Sequence, residues 1–282
     1  MTAYRFCRTD DIALLVDALN RCWAPYFPDE PPMTPAAFKR SIRDLQVWCS
    51  SCMVAFSGSD PIGVLIGAKR PYATLVHKIA VHPDHRRQGH ARHMLASLGS
   101  KLAILGPPRI VAEVPEALAP AHALFGACGY AEEALLTDYV LDRQESVARD
   151  ELATGGRFVI PVSVEDLAAN GPLEVGSLAV CWERSIETLM ARKTDIAGLA
   201  VASDERIEAY VLYVRDEAEI VSLRSLVEDA GARLEPLLSQ IGRGTFRFSK
   251  VHPSEISVEA LTRAGFGPAG SHRLHSTRAK AE

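Results

Sequence analysis

One segment of this 282-residue chain concentrates the residue types that grip anions and move protons: Val76-His77-Lys78-Ile79-Ala80-Val81-His82-Pro83-Asp84-His85-Arg86-Arg87-Gln88-Gly89-His90-Ala91-Arg92. It opens as a strand and stops at Pro83, which cannot continue a ladder. A polar turn follows, and then Ala91, Met94, Leu95, Leu98 and Leu102 recur at the spacing of an amphipathic helix. The chain therefore runs from strand through an arginine- and glycine-bearing turn to a helix N-terminus. The first N–H groups of a helix lack intrahelical partners, and the helix dipole is positive there. Gly89 and the small Ala91 let the backbone close on a bound oxygen, while Arg86, Arg87 and Arg92 add formal charge. The segment reads as a cradle for a pyrophosphate.

The elements that must hold this turn occur twice. A polar stretch with Gly155-Gly156, within Arg149–Arg157, reads as a linker near the midpoint. Before it, an extended run at Tyr4–Arg8 leads through Thr9, as helix cap, into Ile12, Leu15, Val16 and Leu19 at helical spacing. After it, Arg157–Ile160 leads through Ser163 into Asp166-Leu167-Ala168. Strand-like Ile62–Ile66 and Leu75–Val81 match Ile207–Val214 and Glu219–Leu223. Arg109–Val114 matches Thr245–Lys250, and Gly129-Tyr130 matches Gly265-Phe266. Each half reads β, α, β-β-β, α, β, α, β, which predicts tandem copies of one α/β (α+β) unit with domains at 1–148 and 156–282. Ile62 and Gly129 are 67 positions apart but Ile207 and Gly265 only 58, so the second copy is nine residues shorter across the cradle segment. Its equivalent turn reads Leu226-Val227-Glu228-Asp229-Ala230-Gly231-Ala232-Arg233, where carboxylates would repel a phosphate; the second copy is degenerate.

Composition bounds the rest. Apolar residues at 48% and charged residues at 23% exclude a disordered chain. The first 150 residues carry 16 basic and 16 acidic side chains and the remainder 15 and 19, so neither half has the basic face that nucleic acid requires. No apolar run approaches the ~18 residues of a membrane span, and the N-terminus lacks the pattern of a secretory leader, so a cytoplasmic protein that binds neither membrane nor nucleic acid is expected. The six cysteines are sparse and sit in apolar runs, as reduced buried cysteines do; Cys49-x-x-Cys52 has no second pair to build a zinc site, and Val47–Phe56 reads as a strand. His77, His82, His85, His90 and His93 lack acidic ligands at matching spacing and read as solvated loop histidines, so no metal is expected.

With its flanking strand and helix, Val81-x-Pro83-x-x-Arg86-Arg87-Gln88-Gly89-x-Ala91 resembles the acyl-CoA motif of the GNAT superfamily of N-acetyltransferases, and residues 3–142 resemble its fold, a mixed, mostly antiparallel sheet flanked by helices. The resemblance implies acetyl-CoA as cosubstrate, its pantetheine along Ile79, Ala80 and Val81 and its pyrophosphate on Arg86, Arg87, Gln88, Gly89, His90, Ala91 and Arg92. It implies a primary amine of a small molecule or peptide as acceptor. An alkylamine of pKa near ~10 is only about one part in a thousand neutral at pH 7, so a base assists its attack. Glu113 and His77 stand at positions that supply such a base in family members. The aromatic, proline-rich run Trp23–Met33 lies where the family lines its acceptor pocket, so Trp23, Tyr26 and Phe27 are expected to face the acceptor. One departure is marked. Phe125 replaces the tyrosine that commonly protonates the leaving thiolate and Leu118 replaces an asparagine, so Tyr139, Tyr26, Tyr72 or water would serve instead. A CoA-binding sensor without turnover is the alternative those two residues would support.

Overall fold

The structure, a computed structural model, describes residues 2–143, 158–173, 180–214 and 216–280; the linker read at Arg149–Arg157 lies outside them. In chain order the first elements are β1 (Thr2–Phe6), α1 (Ile12–Cys22), α2 (Pro35–Leu45), β2 (Met53–Ser57), β3 (Asp60–Lys69), β4 (Ala73–Val81), α3 (His90–Leu105), β5 (Arg109–Pro115), α4 (Ala119–Ala127) and β6 (Ala131–Arg143). They are followed by β7 (Phe158–Pro161), α5 (Val164–Ala169), α6 (Ile186–Ala191), β8 (Ile196–Ala202), β9 (Ile207–Val214), β10 (Glu219–Ser225), α7 (Leu234–Gln240), β11 (Gly244–Val251), α8 (Val258–Arg263) and β12 (Phe266–Arg278). The repeat is thus present, with a pair of helices rather than one between the first two strands of each half. The chain forms two compact units, Met1–Glu133 with Arg273–Glu282, and Ala134–His272.

In the first unit β1, β2, β3 and β4 pair antiparallel in that order, and β5 joins β4 in parallel. Leu15, Ala18, Leu19 and Cys22 form the buried stripe of α1. The stripe of α3 is Met94, Leu95, Leu98 and Leu102; these pack with Met53, Leu65, Val76, Ile110, Ala112, Val114 and Phe125 into one core. Burying each such side chain contributes about 1.5–3 kcal/mol, which fixes the helix whose first turn carries the cradle. The last ten residues belong to this unit: the Ala279 N–H donates to Pro108 O at 2.7 Å, and Arg273 pairs with Glu116 and Glu132.

The second unit repeats the pattern, with β7, β8, β9 and β10 antiparallel, β11 parallel to β10, and β6 antiparallel to β11. Ser163 caps α5 as expected, in a reciprocal capping box with Asp166. The cap expected at Thr9 falls instead at Asp11, whose carboxylate accepts from the Arg8 N–H and from the Arg5 guanidinium. Asp11 offers a charged acceptor for the turn, which a hydroxyl does not. Val47–Phe56 is not one strand. Cys49–Ser51 is a single turn of 3-10 helix, β2 begins at Met53, and the Cys52 thiol donates to Trp48 O. Among the described residues no helix is long and apolar enough to cross a membrane.

Candidate active site

The opening that could take a ligand is created by strand pairing that stops early. β4 and β5 are paired only at Ala73–Leu75 with Arg109–Val111, and beyond Leu75 and Val111 they part. On its other side β4 stays paired to β3, with Val81 opposite Gly63, and the His82 N–H donates to Ile62 O at 2.9 Å. Backbone groups alternate in direction along an antiparallel strand. Ala80 therefore turns its N–H and C=O toward β3, while those of Ile79 and Val81 face the opening. An extended amide chain laid in the gap would complete the ladder there.

At the mouth, Pro83–His85 forms one turn of 3-10 helix, with His82 Nδ1 accepting from the Asp84 N–H. Arg87 (φ 64°) and Gly89 (φ 86°) both adopt left-handed backbone, which reverses the chain into α3. For Gly89 the conformation selects glycine, and a Cβ added there would meet only open space. The His93 N–H bonds Gly89 O, so His90, Ala91 and Arg92 supply the helix's unbonded first N–H groups. Arg86, Arg87, Gln88, Gly89 and Arg92 are exposed and Ala91 is half-buried. His90 is not a solvated histidine: it is buried, its Nδ1 lies 2.7 Å from the Tyr4 hydroxyl, and its Nε2 has no partner. Burial holds its pKa below the usual histidine value. Open amides, exposed guanidinium groups, an orphaned buried nitrogen and clear space over Gly89 fit the diphosphate of an acyl-CoA.

The two base candidates lie just beyond the point where the strands part. The register of β4 on β3 shifts between Lys78 and Val76, leaving His77 as the extra residue of a bulge, a device that re-aims a side chain. His77 on β4 and Glu113 on β5 each stand two residues past the last paired rung, and both are half-buried. Glu113 alternates with Ala112 and Val114, whose side chains enter the core.

The aromatic run folds over β4. Trp23 and Phe27 stack at 4.3 Å between ring centroids, and the Tyr26 hydroxyl donates to Val81 O at 2.6 Å, on the strand edge facing the opening. Burial raises the Tyr26 pKa, with the Arg86 guanidinium over its ring opposing. Two residues that sequence reasoning did not select join them. Glu30 accepts from Trp23 Nε1 at 3.1 Å and from Lys78 Nζ at 3.3 Å, and that ammonium lies 3.9 Å from the Trp23 ring centre. Glu30 lies in the run already singled out, and Lys78 in the motif strand; only their mutual approach was not visible. Of the phenols, Tyr139 lies in the core of the second unit and Tyr72 in the turn before β4, at the opposite end of that strand from Val81. Phe125 is buried in the first unit's core, against Tyr130.

Residues 13–130 match the family model described as "Acetyltransferase (GNAT) family". No curated protein matches the chain. Among solved structures, a tandem GNAT protein from the clavulanic acid biosynthesis pathway is 16% identical over 100% of both chains, with a TM-score of 0.64. A GCN5-related N-acetyltransferase from Sphaerobacter thermophilus is 14% identical, covering 99% of this chain and 96% of its own, at 0.69. A putative acetyltransferase from Pyrococcus horikoshii is 16% identical over 100% and 90%, at 0.65. At such identities these likenesses speak for the fold. The part of the chain that holds the open strand edge and the cradle thus matches the GNAT acetyltransferase family, and the chain as a whole shares its fold with these solved structures.

Proposed function

We propose that the first unit transfers an acetyl group from acetyl-CoA to a primary amine of a small molecule or peptide by direct attack. The observation that carries this reading is the continuous path from the backbone edge at Ile79 and Val81 to the unbonded N–H groups at the start of α3. An acyl-CoA needs both at once, amide partners for its pantetheine and a cationic helix terminus for its diphosphate. Arg86, Arg87 and Arg92 add charge there, and Gln88, Gly89, His90 and Ala91 form the turn. Its thioester would then lie deeper in the gap, toward His77 and Glu113. In this reading one of these takes the proton that an entering ammonium must lose. Trp23, Tyr26 and Phe27, with Glu30, line the acceptor's approach over β4. The second unit is a copy that has lost the cosubstrate site.

The test is incubation with acetyl-CoA and a panel of alkylamines, aminoglycosides and peptides, read as free thiol. Turnover with one of them supports the transferase. Tight CoA binding with no thiol released from any acceptor supports the second reading, a CoA sensor, which Phe125 favours because it has no proton to give.

A further inference from the structure

The proton missing from Phe125 has a second source beside it. His275 of β12, within the first unit, lies against the Phe125 ring at 5.8 Å between centroids and 17° from parallel. Its Nε2 is 2.9 Å from Nδ1 of His122, one turn before Phe125 on α4, and His122 Nε2 is 3.0 Å from Pro115 O at the end of β5. These contacts fix the tautomers. A carbonyl only accepts, so His122 Nε2 carries the proton and donates to Pro115. The Nδ1 of that neutral ring is then a bare acceptor, so His275 Nε2 carries a proton and donates to it. The remaining nitrogen, His275 Nδ1, holds a lone pair; it is buried and partnerless, in a residue only 5% exposed. Buried acceptors are rarely left so. The chain of bonds from Pro115 through two imidazoles ends on a base beside the ring that stands where a phenol is expected. Phe125 itself packs in the same core cluster as Ile79 and Val81, whose backbone edges face the gap.

We propose that His275 carries a proton from the attacking amine nitrogen to the leaving sulfur, and that His122 is the residue that positions it. The inference rests on the acetyl-transfer reading above. An ammonium that becomes an amide loses two protons. The first leaves through His77 or Glu113 before attack. As the N–C bond forms and the C–S bond breaks, the second passes from nitrogen to His275 Nδ1 and then to sulfur. The products are the amide and free CoA thiol, and the imidazole returns to its starting state. Burial holds His275 below the usual histidine pKa, with Arg273 acting in the same direction and Glu132 against it. Phe125 stacks on its ring, and Arg273 is itself bonded to Glu116 and Glu132. The base form is therefore the one present at neutral pH.

The experiment measures H275F, H275Q and H122F in the full chain, using acetyl-CoA with the best amine of the panel and calorimetry with CoA. The expected result is unchanged CoA affinity in both His275 variants, KM for acetyl-CoA nearly constant, and kcat lowered by about 100-fold or more. Wild-type activity is present above the His275 pKa and is lost as pH falls through it, below the ordinary histidine range. H122F removes the acceptor of the His275 Nε2–H, so its acid limb moves, a change that loss of packing alone does not produce. Should H275F and H275Q not fold, H275A is assayed with and without free imidazole, and recovery of rate supports the proposal while none overturns it. A folded H275F within about threefold of wild-type kcat overturns it, as does an H122F limb that stays in place. Wild-type chain that releases no thiol with any amine fells the acetyl-transfer reading itself, whereas active wild type with active H275F fells only this inference.

Discussion

The turn after β4 and the turn after β10 occupy the same place in two copies of one fold, and they dispose of their backbone N–H groups in opposite ways. After β4 the amides of His90, Ala91 and Arg92 have no bonding partner within the helix, and Arg86, Arg87 and Arg92 around them are exposed. After β10 an internal anion takes up such donors. Asp229 Oδ1 accepts from the Gly231 N–H and the Ser225 hydroxyl, each at 2.9 Å, and Oδ2 from the Arg233 N–H at 2.9 Å and the Arg233 guanidinium at 2.8 Å. Repulsion of phosphate by acidic residues is thus half of the explanation for the degenerate copy. The other half is that the donors a phosphate would use are already satisfied. Both copies keep the parting of parallel strands, since β10 and β11 pair only at Glu219 with Arg247. The backbone opening is common to both units, and what differs is how the N–H groups of the turn are bonded.

The largest effect is expected from ending the chain after residue 148. That removes the Arg273–Glu282 portion of the first unit, including the partners of Glu116, His122 and Pro108, so the remaining polypeptide should lose cooperative thermal unfolding. Replacing Arg86, Arg87 and Arg92 together by alanine should weaken CoA binding by about 10- to 100-fold in calorimetry, whereas Arg233→Ala should leave it unchanged. Asp229→Ala should lower stability by about 1–3 kcal/mol in urea at pH 7, because two backbone N–H groups and Arg233 lose their acceptor.

The sign of the pH dependence follows from the same bonds. Burial raises the Asp229 pKa, but the hydrogen bonds from Arg233, Ser225 and the backbone outweigh it and hold the carboxyl below its usual value. Its contribution is therefore fully present above the unfolded carboxyl pKa of about 3.9 and is lost as pH falls through the lower folded value. Urea melts of Asp229→Asn should show a shallower loss of stability over that window than the wild type. The smallest effect is expected at Tyr26, whose hydroxyl occupies Val81 O on the open edge. Tyr26→Phe should tighten CoA binding by a few-fold, since a competing hydrogen bond of about 1 kcal/mol is removed.

Local patterns were legible in the sequence wherever one element's own residues decide its fate. The α3 stripe, the Ser163 cap, the glycines before Tyr130 and Phe266, and the strands from β3 through β5 and from β9 through β11 follow from spacing and turn chemistry within a few positions. What escaped depends on contacts between distant residues. His122 and His275 are 153 positions apart, so their meeting has no trace in either segment. The assignment of residues 134–143 to the second unit and 273–282 to the first reflects which strand finds which neighbour, a choice made by the whole sheet. Within the cradle, glycine and arginine identified the turn, yet His90 looked like its solvated neighbours because the Tyr4 hydroxyl that buries it comes from β1. Asp229 was read as a repelling charge because its sequence position reveals nothing of the amides it accepts from.

The central claim is that CoA is held by main-chain amides at the turn around Gly89 and by no equivalent in the second unit. Replacing Gly89 with aspartate places a carboxylate and a strained left-handed backbone at that point, leaving the second unit untouched. Titration of CoA into the G89D chain, with wild type alongside, is the direct measurement. Saturable heat is expected for the wild type and none for G89D; undiminished binding by G89D would overturn a main-chain grip at this turn.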